Sequence, residues 1–265
     1  MPEGHTIHKV AQDHSKLLVD ETIEVSSPQG RFSADAERVD GAVLERIYPY
    51  GKHLFYEWST GDVGHVHLGL FGKYKIYKTD EPPEPKGAVR MRLTAPNATI
   101  DLNGPTACTI DEPDARKKIL ARLGPDPIHR NAKPDAMYEK ISRSKRTIGE
   151  LLMDQAVVAG IGNVYRAEVL FVNGIHPRRP GKECHIAELE AMWATSQGML
   201  RAGVKDGRIL TVPREESGVP PGKRIPRAEA TYAYKRDNCL RCGSEIQRAD
   251  MAKRTVYWCP ICQPN

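Results

Sequence analysis

The sequence predicts an α+β protein of more than one domain, and three observations carry that expectation. Residues 21–102 hold short alternating apolar and polar segments punctuated by Gly and Pro, the pattern of strands joined by tight turns. From Met137 the apolar spacing becomes helical. The last 27 residues contain four of the six cysteines, in two pairs.

Taken in order, HTIHKVAQDHSKLLVD (His5–Asp20) spaces Ile7, Val10, Leu17 and Leu18 for one face of a leading helix. TIEVSS, HLFYEWST, HVHLGLFGKYKIYK, AVRMRLTAP and ATIDLN follow as strands of a β-sandwich or barrel. DARKKILARL reads as a helix, and Gly124–Ala136, with three prolines, as a linker. Helices are expected in MYEKISRSKRTIGELLMDQAVVAGIGNVYRAEVLFVNGI and in AELEAMWATSQGMLRAGV. Thr211–Thr231 has neither periodicity nor an apolar face and is expected to be a mobile loop. The expected domains are residues 1–123, 124–230 with the mobile loop at about 211–230, and 231–265.

At 265 residues the chain can bury a sizeable core, and 40% hydrophobic with 28% charged residues is ordinary for a soluble protein. No run approaches the roughly 18 apolar residues of a membrane span, and the first residues lack the apolar core of a signal peptide. The expectation is a soluble intracellular protein, cytoplasmic or nucleoid-associated, with no membrane partner. The net charge of +5 is mild but unevenly spread. Lys223, Arg224, Arg227, Lys235, Arg236, Arg241, Arg248, Lys253 and Arg254 crowd the C-terminal end, and SRSKRT spans Ser142–Thr147. Such clusters are either solvated surface or phosphate-facing patches. Cys108 and Cys184 stand alone and are expected to act as small buried hydrophobes.

CLRC and CPIC give the spacing C-x2-C-x16-C-x2-C through Cys239, Cys242, Cys259 and Cys262. Each pair can present two thiolates to one ion, so the set predicts one structural zinc in a ribbon, with a redox or disulfide pair as the alternative. Protein fills all four positions, so such a zinc shapes the fold and does no chemistry. The hairpin between the pairs carries RADMAKRTVYW, a basic ribbon suited to a phosphate backbone or to protein packing alone.

LLMDQAVVAGIGNVYRAEVLF sets AGIGN between two apolar helical stretches. Gly160 and Gly162 permit tight backbone geometry, and Asn163 can cap the following helix, whose free N–H groups attract anions. The other unusual stretch is the beginning, MPEGHTIH. Removal of Met1 would make Pro2 a terminal secondary amine. An α-amino group has a pKa of about 7.7–8.0 against about 10.4 for lysine, so roughly a tenth of it is free base at pH 7. That makes it a capable nucleophile toward a sugar carbon, with Glu3 beside it to carry protons. His5 and His8 are expected near Pro2 without an obligatory step. His65 and His67 lie two apart on an expected strand and share a face, which fits a plain sheet surface or a phosphate or metal contact.

Together these motifs resemble the formamidopyrimidine-DNA glycosylase/endonuclease VIII family of base-excision repair enzymes. PEG at Pro2–Gly4, GKHL at Gly51–Leu54, AGIGN ending at Asn163 and RTVYWCPICQ at Arg254–Gln263 fall in the family's order along nearly the whole chain. The resemblance implies a two-layered β-sandwich domain with a leading helix, then a helix–two-turns–helix domain and a four-cysteine zinc-finger hairpin. It implies a bifunctional DNA glycosylase/AP lyase, a monomer acting on damaged DNA that is duplex or single-stranded with abasic sites. Carried over residue by residue, Pro2 would be the Schiff-base nucleophile at C1′ and Glu3 the proton donor and acceptor. Lys52 would be a general acid/base near phosphate, and Arg254 a phosphate clamp in the elimination. Asn163, with Gly160 and Gly162 at the hinge, would bind backbone phosphate. Arg122 in ARLGPD resembles a further DNA contact, and His67 is a candidate of the same kind.

Two departures bear on the substrate. The formamidopyrimidine branch begins Pro-Glu-Leu-Pro-Glu, whereas His5 and Thr6 stand here. DLNGPTACT (Asp101–Thr109) lacks that branch's Arg-Arg-Phe-Gly loop, leaving Leu70 and Phe71 of HLGLFG to fill the gap of a flipped base. Both features lean toward the endonuclease VIII branch and oxidised pyrimidines, with strand cleavage by β-elimination and the δ step left open. The alternative is a catalytically silent protein on the same scaffold that binds lesions or abasic sites.

Overall fold

The alternation in AVRMRLTAP becomes strand β6 (Val89–Ala95), whose side chains are buried at every second position. The computed structural model describes residues 2–79 and 81–265 and divides into two units, residues 1–122 and 123–265. In the first unit, helix α1 (Gly4–Leu18) precedes β1 (Thr22–Ser26), a short α2 (Ser33–Glu37), β2 (Ala42–Tyr50), β3 (His53–Trp58), β4 (Val63–His67) and β5 (Lys73–Tyr77). After β6 come β7 (Ala98–Asn103), β8 (Ala107–Asp111) and α3 (Ala115–Leu120).

The strands are antiparallel in the order β5-β7-β6-β1-β2-β3-β4-β8, and β1 makes two layers of them. Thr22 and Ile23 pair with β2, whereas Glu24, Val25 and Ser26 pair with β6. The chain thus passes from one half-sheet to the other within a single strand. One core lies between the layers, with Val25, Leu93 and Ile100 from one and Leu44, Leu54 and Trp58 from the other. Ile7, Ala11 and Leu18 of α1 join it. The expected sandwich with a leading helix is borne out, and the barrel is not.

Two strands escape the sequence reading. β2 contains Pro49 and a register shift between Leu44 and Arg46, and both features break the alternation that marks a strand. β8 begins inside DLNGPTACT, beyond the tight turn that follows β7, and runs on to Asp111.

The second unit contains α4 (Asp135–Ser142), α5 (Ile148–Leu151), α6 (Asn163–Val172), α7 (Ile186–Asp206) and a hairpin of β9 (Gln247–Met251) and β10 (Arg254–Trp258). Thr147 and Glu150 form a reciprocal capping box at α5, while Gly207, at φ 66°, ends α7. Residues 152–162 are not helical, so AGIGN closes an irregular segment and does not join two helices directly. The 211–231 segment makes two short 3₁₀ turns, at Arg214–Glu216 and Arg227–Glu229. It is tethered at its ends by Thr211 N–H to Ala230 C=O at 2.9 Å, and Val212 and Ile225 are buried.

Candidate active site and metal centre

Pro2 is half-buried and leads directly into α1, where Glu3 is the N-cap residue. The Glu3 carbonyl accepts the Thr6 N–H at 2.9 Å, and the residue is fully buried. Met1 lies outside the described residues. A cavity of ≈ 370 Å³ is lined by Pro2, by Thr6, Val10, Asp13 and His14 of α1 and by Leu68, Lys73, Tyr74 and Ile76. Beneath it, His14 Nδ1 hydrogen-bonds Tyr56 Oη at 2.9 Å, and Tyr56 Oη donates to Tyr74 Oη at 3.0 Å. Burial pulls the His14 pKa down to about 3 and pushes both tyrosines well up. Burial likewise brings His5 to about 4.

The turn between β4 and β5 presents Leu70 and Phe71, which are 42% and 85% exposed. Gly72 N–H closes this turn on the Leu68 carbonyl at 2.9 Å. A Cβ on Gly72 would lie 2.3 Å from that oxygen, so the turn demands glycine there. Leu68 also lines the Pro2 cavity, which puts Pro2 and the exposed apolar pair on adjoining parts of the unit.

Lys52 sits in the two-residue turn of the β2–β3 hairpin, closed by the Tyr50–His53 pair. Gly51, at φ 56°, supplies the positive dihedral of its first position. Register places His53 opposite His67 and Phe55 opposite His65, so these side chains share one sheet face. The His53 and His65 rings stack with centroids 5.1 Å apart and share a hydrogen bond of 2.9 Å. Burial, then the neighbouring imidazoles and the Arg122 and Lys52 charges, lowers His53 to about 3. Burial, together with His67 and Arg122, lowers His65 to about 4 despite the opposing pull of Asp111. His67 is lowered by burial and by Lys52. Its Nδ1 accepts the Gly69 N–H at 3.2 Å, so the neutral ring carries its proton on Nε2 and is a donor. Lys52, His67 and Arg122 therefore form one basic neighbourhood.

In the second unit, Gly160 adopts φ 92° and Gly162 is the N-cap of α6. The expected cap, Asn163, is instead the first helical residue. Its Nδ2 donates to the Thr255 carbonyl of β10 at 2.9 Å, and its Oδ1 accepts from Arg166. The reason lies in α6 itself, buried on every side from Asn163 to Phe171. A charged residue there must find partners inside, and Arg166 does so on Asn163 and on the Met251 and Thr255 carbonyls at 3.2 and 3.3 Å. Asn163 is thereby tied to the hairpin that carries Arg254, exposed just after the two-residue turn Ala252–Lys253.

Cys239, Cys242, Cys259 and Cys262 bring their sulfurs within 4.8 Å of one another. Cys239 and Cys262 are 3.9 Å apart, and Cys242 and Cys259 3.4 Å. A tetrahedron with metal–sulfur bonds of about 2.3 Å has edges of about 3.8 Å, so the four thiols fit one ion. Gln263 anchors the cluster: its Oε1 accepts from Cys259 N–H at 3.0 Å, and its Nε2 donates to the Ile175 carbonyl at 2.8 Å.

Residues 1–109 match the formamidopyrimidine-DNA glycosylase N-terminal domain, and residues 123–213 match the formamidopyrimidine-DNA glycosylase H2TH domain. Endonuclease 8 1 of Mycobacterium tuberculosis is 42% identical over 269 residues, spanning 99% of this chain and 100% of the relative. The chain belongs to the formamidopyrimidine-DNA glycosylase/endonuclease VIII family. Members of this family are DNA N-glycosylases with AP lyase activity. The formamidopyrimidine-DNA glycosylase of Vibrio cholerae is 27% identical over 271 residues, again 99% of this chain and 100% of the relative. Two Lactococcus lactis complexes of the family share the fold. One, with abasic-site DNA, has a TM-score of 0.80 at 22% identity over 99% of this chain and 100% of that one. The other, with N7-benzyl-Fapy-dG DNA, reaches 0.82 at 22% identity over the full length of both chains.

Proposed function

We propose that this glycosylase removes oxidised bases from DNA, pyrimidines foremost, and cleaves the strand with Pro2 as its nucleophile. One observation carries the reading: Pro2 lines a cavity and has buried Glu3 as its neighbour. The 42% identity to an endonuclease 8, against 27% to a formamidopyrimidine enzyme, supports the pyrimidine preference.

With Met1 removed, the Pro2 nitrogen attacks C1′ of a nucleotide turned out of the stack, because C1′ is out of reach inside a duplex. The glycosidic bond breaks, and the departing base takes up the proton that nitrogen gives up. Glu3 protonates the ring oxygen as the sugar opens, leaving an iminium between Pro2 and C1′. That cation acidifies the C2′ hydrogen, whose loss expels the 3′ phosphate and cuts the strand by β-elimination. Lys52, Arg122 and the His67 Nε2–H hold phosphates in this reading, as do Arg254, Asn163 and the α6 N-terminus with Gly160 and Gly162. Leu70 and Phe71 fill the gap left by the flipped base. The four cysteines would hold one zinc, which stiffens the hairpin under Arg254. No helix among the described residues is long and apolar enough to cross a membrane, in keeping with a monomer that works on DNA inside the cell.

Borohydride trapping on a duplex with one abasic site tests the assignment. The wild type forms a covalent adduct, and Pro2→Gly loses it. An undiminished adduct in Pro2→Gly moves the nucleophile elsewhere, and tight binding without scission favours the lesion-binding alternative. Fully active enzyme that retains Met1 overturns the reading.

A further inference from the structure

Ser244 touches the cysteine cluster without belonging to its four ligands. Its Oγ lies 3.0 Å from Cys242 Sγ and 3.0 Å from Cys259 Sγ, astride the edge that those sulfurs form at 3.4 Å. Two backbone bonds fix the turn that carries it. Cys239 N–H donates to the Ser244 carbonyl at 2.8 Å, and Gly243 N–H donates to the Cys239 carbonyl at 2.9 Å. Four sulfurs fill a tetrahedral ion, so the hydroxyl is left as a donor to the ligands.

The four sulfurs differ in access. Cys239 and Cys259 are buried, Cys262 is half-buried and Cys242 is exposed. A thiolate is a nucleophile, and exposure helps to decide which one reacts. A hydrogen bond donated to sulfur draws charge from it, and such outer partners hold a metal's ligands in place. Ser244 therefore acts on the sulfur that a reagent in solvent meets most readily.

We propose that Cys242 is a modification site for soft electrophiles and that the Ser244 hydroxyl guards it. The proposal rests on the zinc reading above. Iodoacetamide shows the chemistry: Cys242 Sγ bonds to the CH₂ carbon as the C–I bond breaks, and iodide leaves with the electron pair. The neutral thioether binds zinc weakly, the ion departs, and the other three thiolates take protons from water. The hairpin that carries Arg254 then loses its brace, so one exposed sulfur couples electrophilic damage to the hold on DNA.

Iodoacetamide treatment of the zinc-loaded full-length protein tests it, with zinc release read by a colorimetric chelator and labelled cysteines by peptide mass spectrometry. Cys242 is labelled first of the four, and zinc leaves in step with that label. Ser244→Ala speeds both about tenfold, with no matching gain at Cys262, whereas Ser244→Thr keeps the hydroxyl and the wild-type rate. First labelling at another of the four, an unchanged rate in Ser244→Ala, or an equal gain at Cys262 overturns the proposal. Metal analysis before treatment separates it from the zinc reading. With one zinc per chain those outcomes remove this proposal alone; with none bound even after zinc is supplied, the zinc reading falls as well.

Discussion

Glu168, in the middle of α6, accepts the Thr211 hydroxyl at 2.6 Å in the interior of the second unit. The same carboxylate accepts the N–H groups of Tyr232, Ala233 and Tyr234 at 2.7, 3.0 and 2.9 Å. Both ends of the 211–231 segment are thus fixed to one buried side chain. Burial pushes the Glu168 pKa up, and the four donors draw it back. Removing an acceptor from buried donors costs about 1–3 kcal/mol for each group left unpaired. Glu168→Ala is therefore expected to lower stability by about 3 kcal/mol or more in urea unfolding and to expose residues 213–224 to protease. Glu168→Gln faces these donors with an NH₂ group and is destabilised too. Wild-type protease resistance in Glu168→Ala would contradict the tether.

The buried histidines make stability depend on pH. His14 and His65 have pKa values pulled down by burial to about 3 and about 4, whereas an unfolded chain titrates them near 6.5. Between those values the unfolded state binds protons that the folded state refuses, so stability falls as pH drops below about 6.5. At pH 5 each of these residues costs about 2 kcal/mol relative to neutral pH. Urea unfolding at pH 7 and pH 5 should show the loss, and His14→Phe should flatten the slope by up to ~1.4 kcal/mol per pH unit. Equal stability of the wild type at both pH values rules it out.

What was legible in the sequence was chemistry local to it. The paired cysteines lie three residues apart, and Pro2 and Glu3 are neighbours, so spacing alone announces them. The sandwich was legible because alternation is a local property, and it failed where Pro49 and the bulge at Leu44 and Arg46 interrupt β2. Arg166 and Glu168 are two charged letters in an apolar helix, a sign that each has a buried partner, but apart from Asn163 beside Arg166 the partners are distant, with Met251 85 residues and Thr211 43 residues away. His14 gave no signal at all. It sits on the face of α1 that the apolar spacing assigns to the core, and its bond to Tyr56 crosses 42 residues.

The turn beside Arg254 is strained. Ala252 and Lys253 have φ of 52° and 57° in a two-residue hairpin turn, where both central positions favour Asn or Gly. Such strain gathers where the backbone must aim a functional side chain. Ala252→Asn is expected to stabilise the protein by ~0.5–1 kcal/mol in thermal or urea unfolding. A loss of stability of that size would mean that the turn does not need positive dihedrals.

Metal removal should act on one unit and spare the other. The four cysteines all belong to residues 123–265, and the core of the first unit contains none of them. Three links tie the cysteine cluster to its own unit. Gln263 bridges Cys259 to Ile175, Asn163 holds β10 through Thr255, and the Arg241 guanidinium lies over the Phe171 and Tyr232 rings at 4.9 and 5.1 Å. Without an ion to bind the four sulfurs, nothing holds the two cysteine pairs together and the hairpin is freed, because binding energy at such a site is folding energy. A strong chelator is expected to release one zinc per chain and to abolish DNA binding. The first unit should still unfold cooperatively, with the acid sensitivity of its buried histidines unchanged. Cys242→Ser, which removes the most exposed ligand, should give the same result without chelator. Undiminished DNA binding in zinc-free protein would show that the hairpin holds its shape by packing alone.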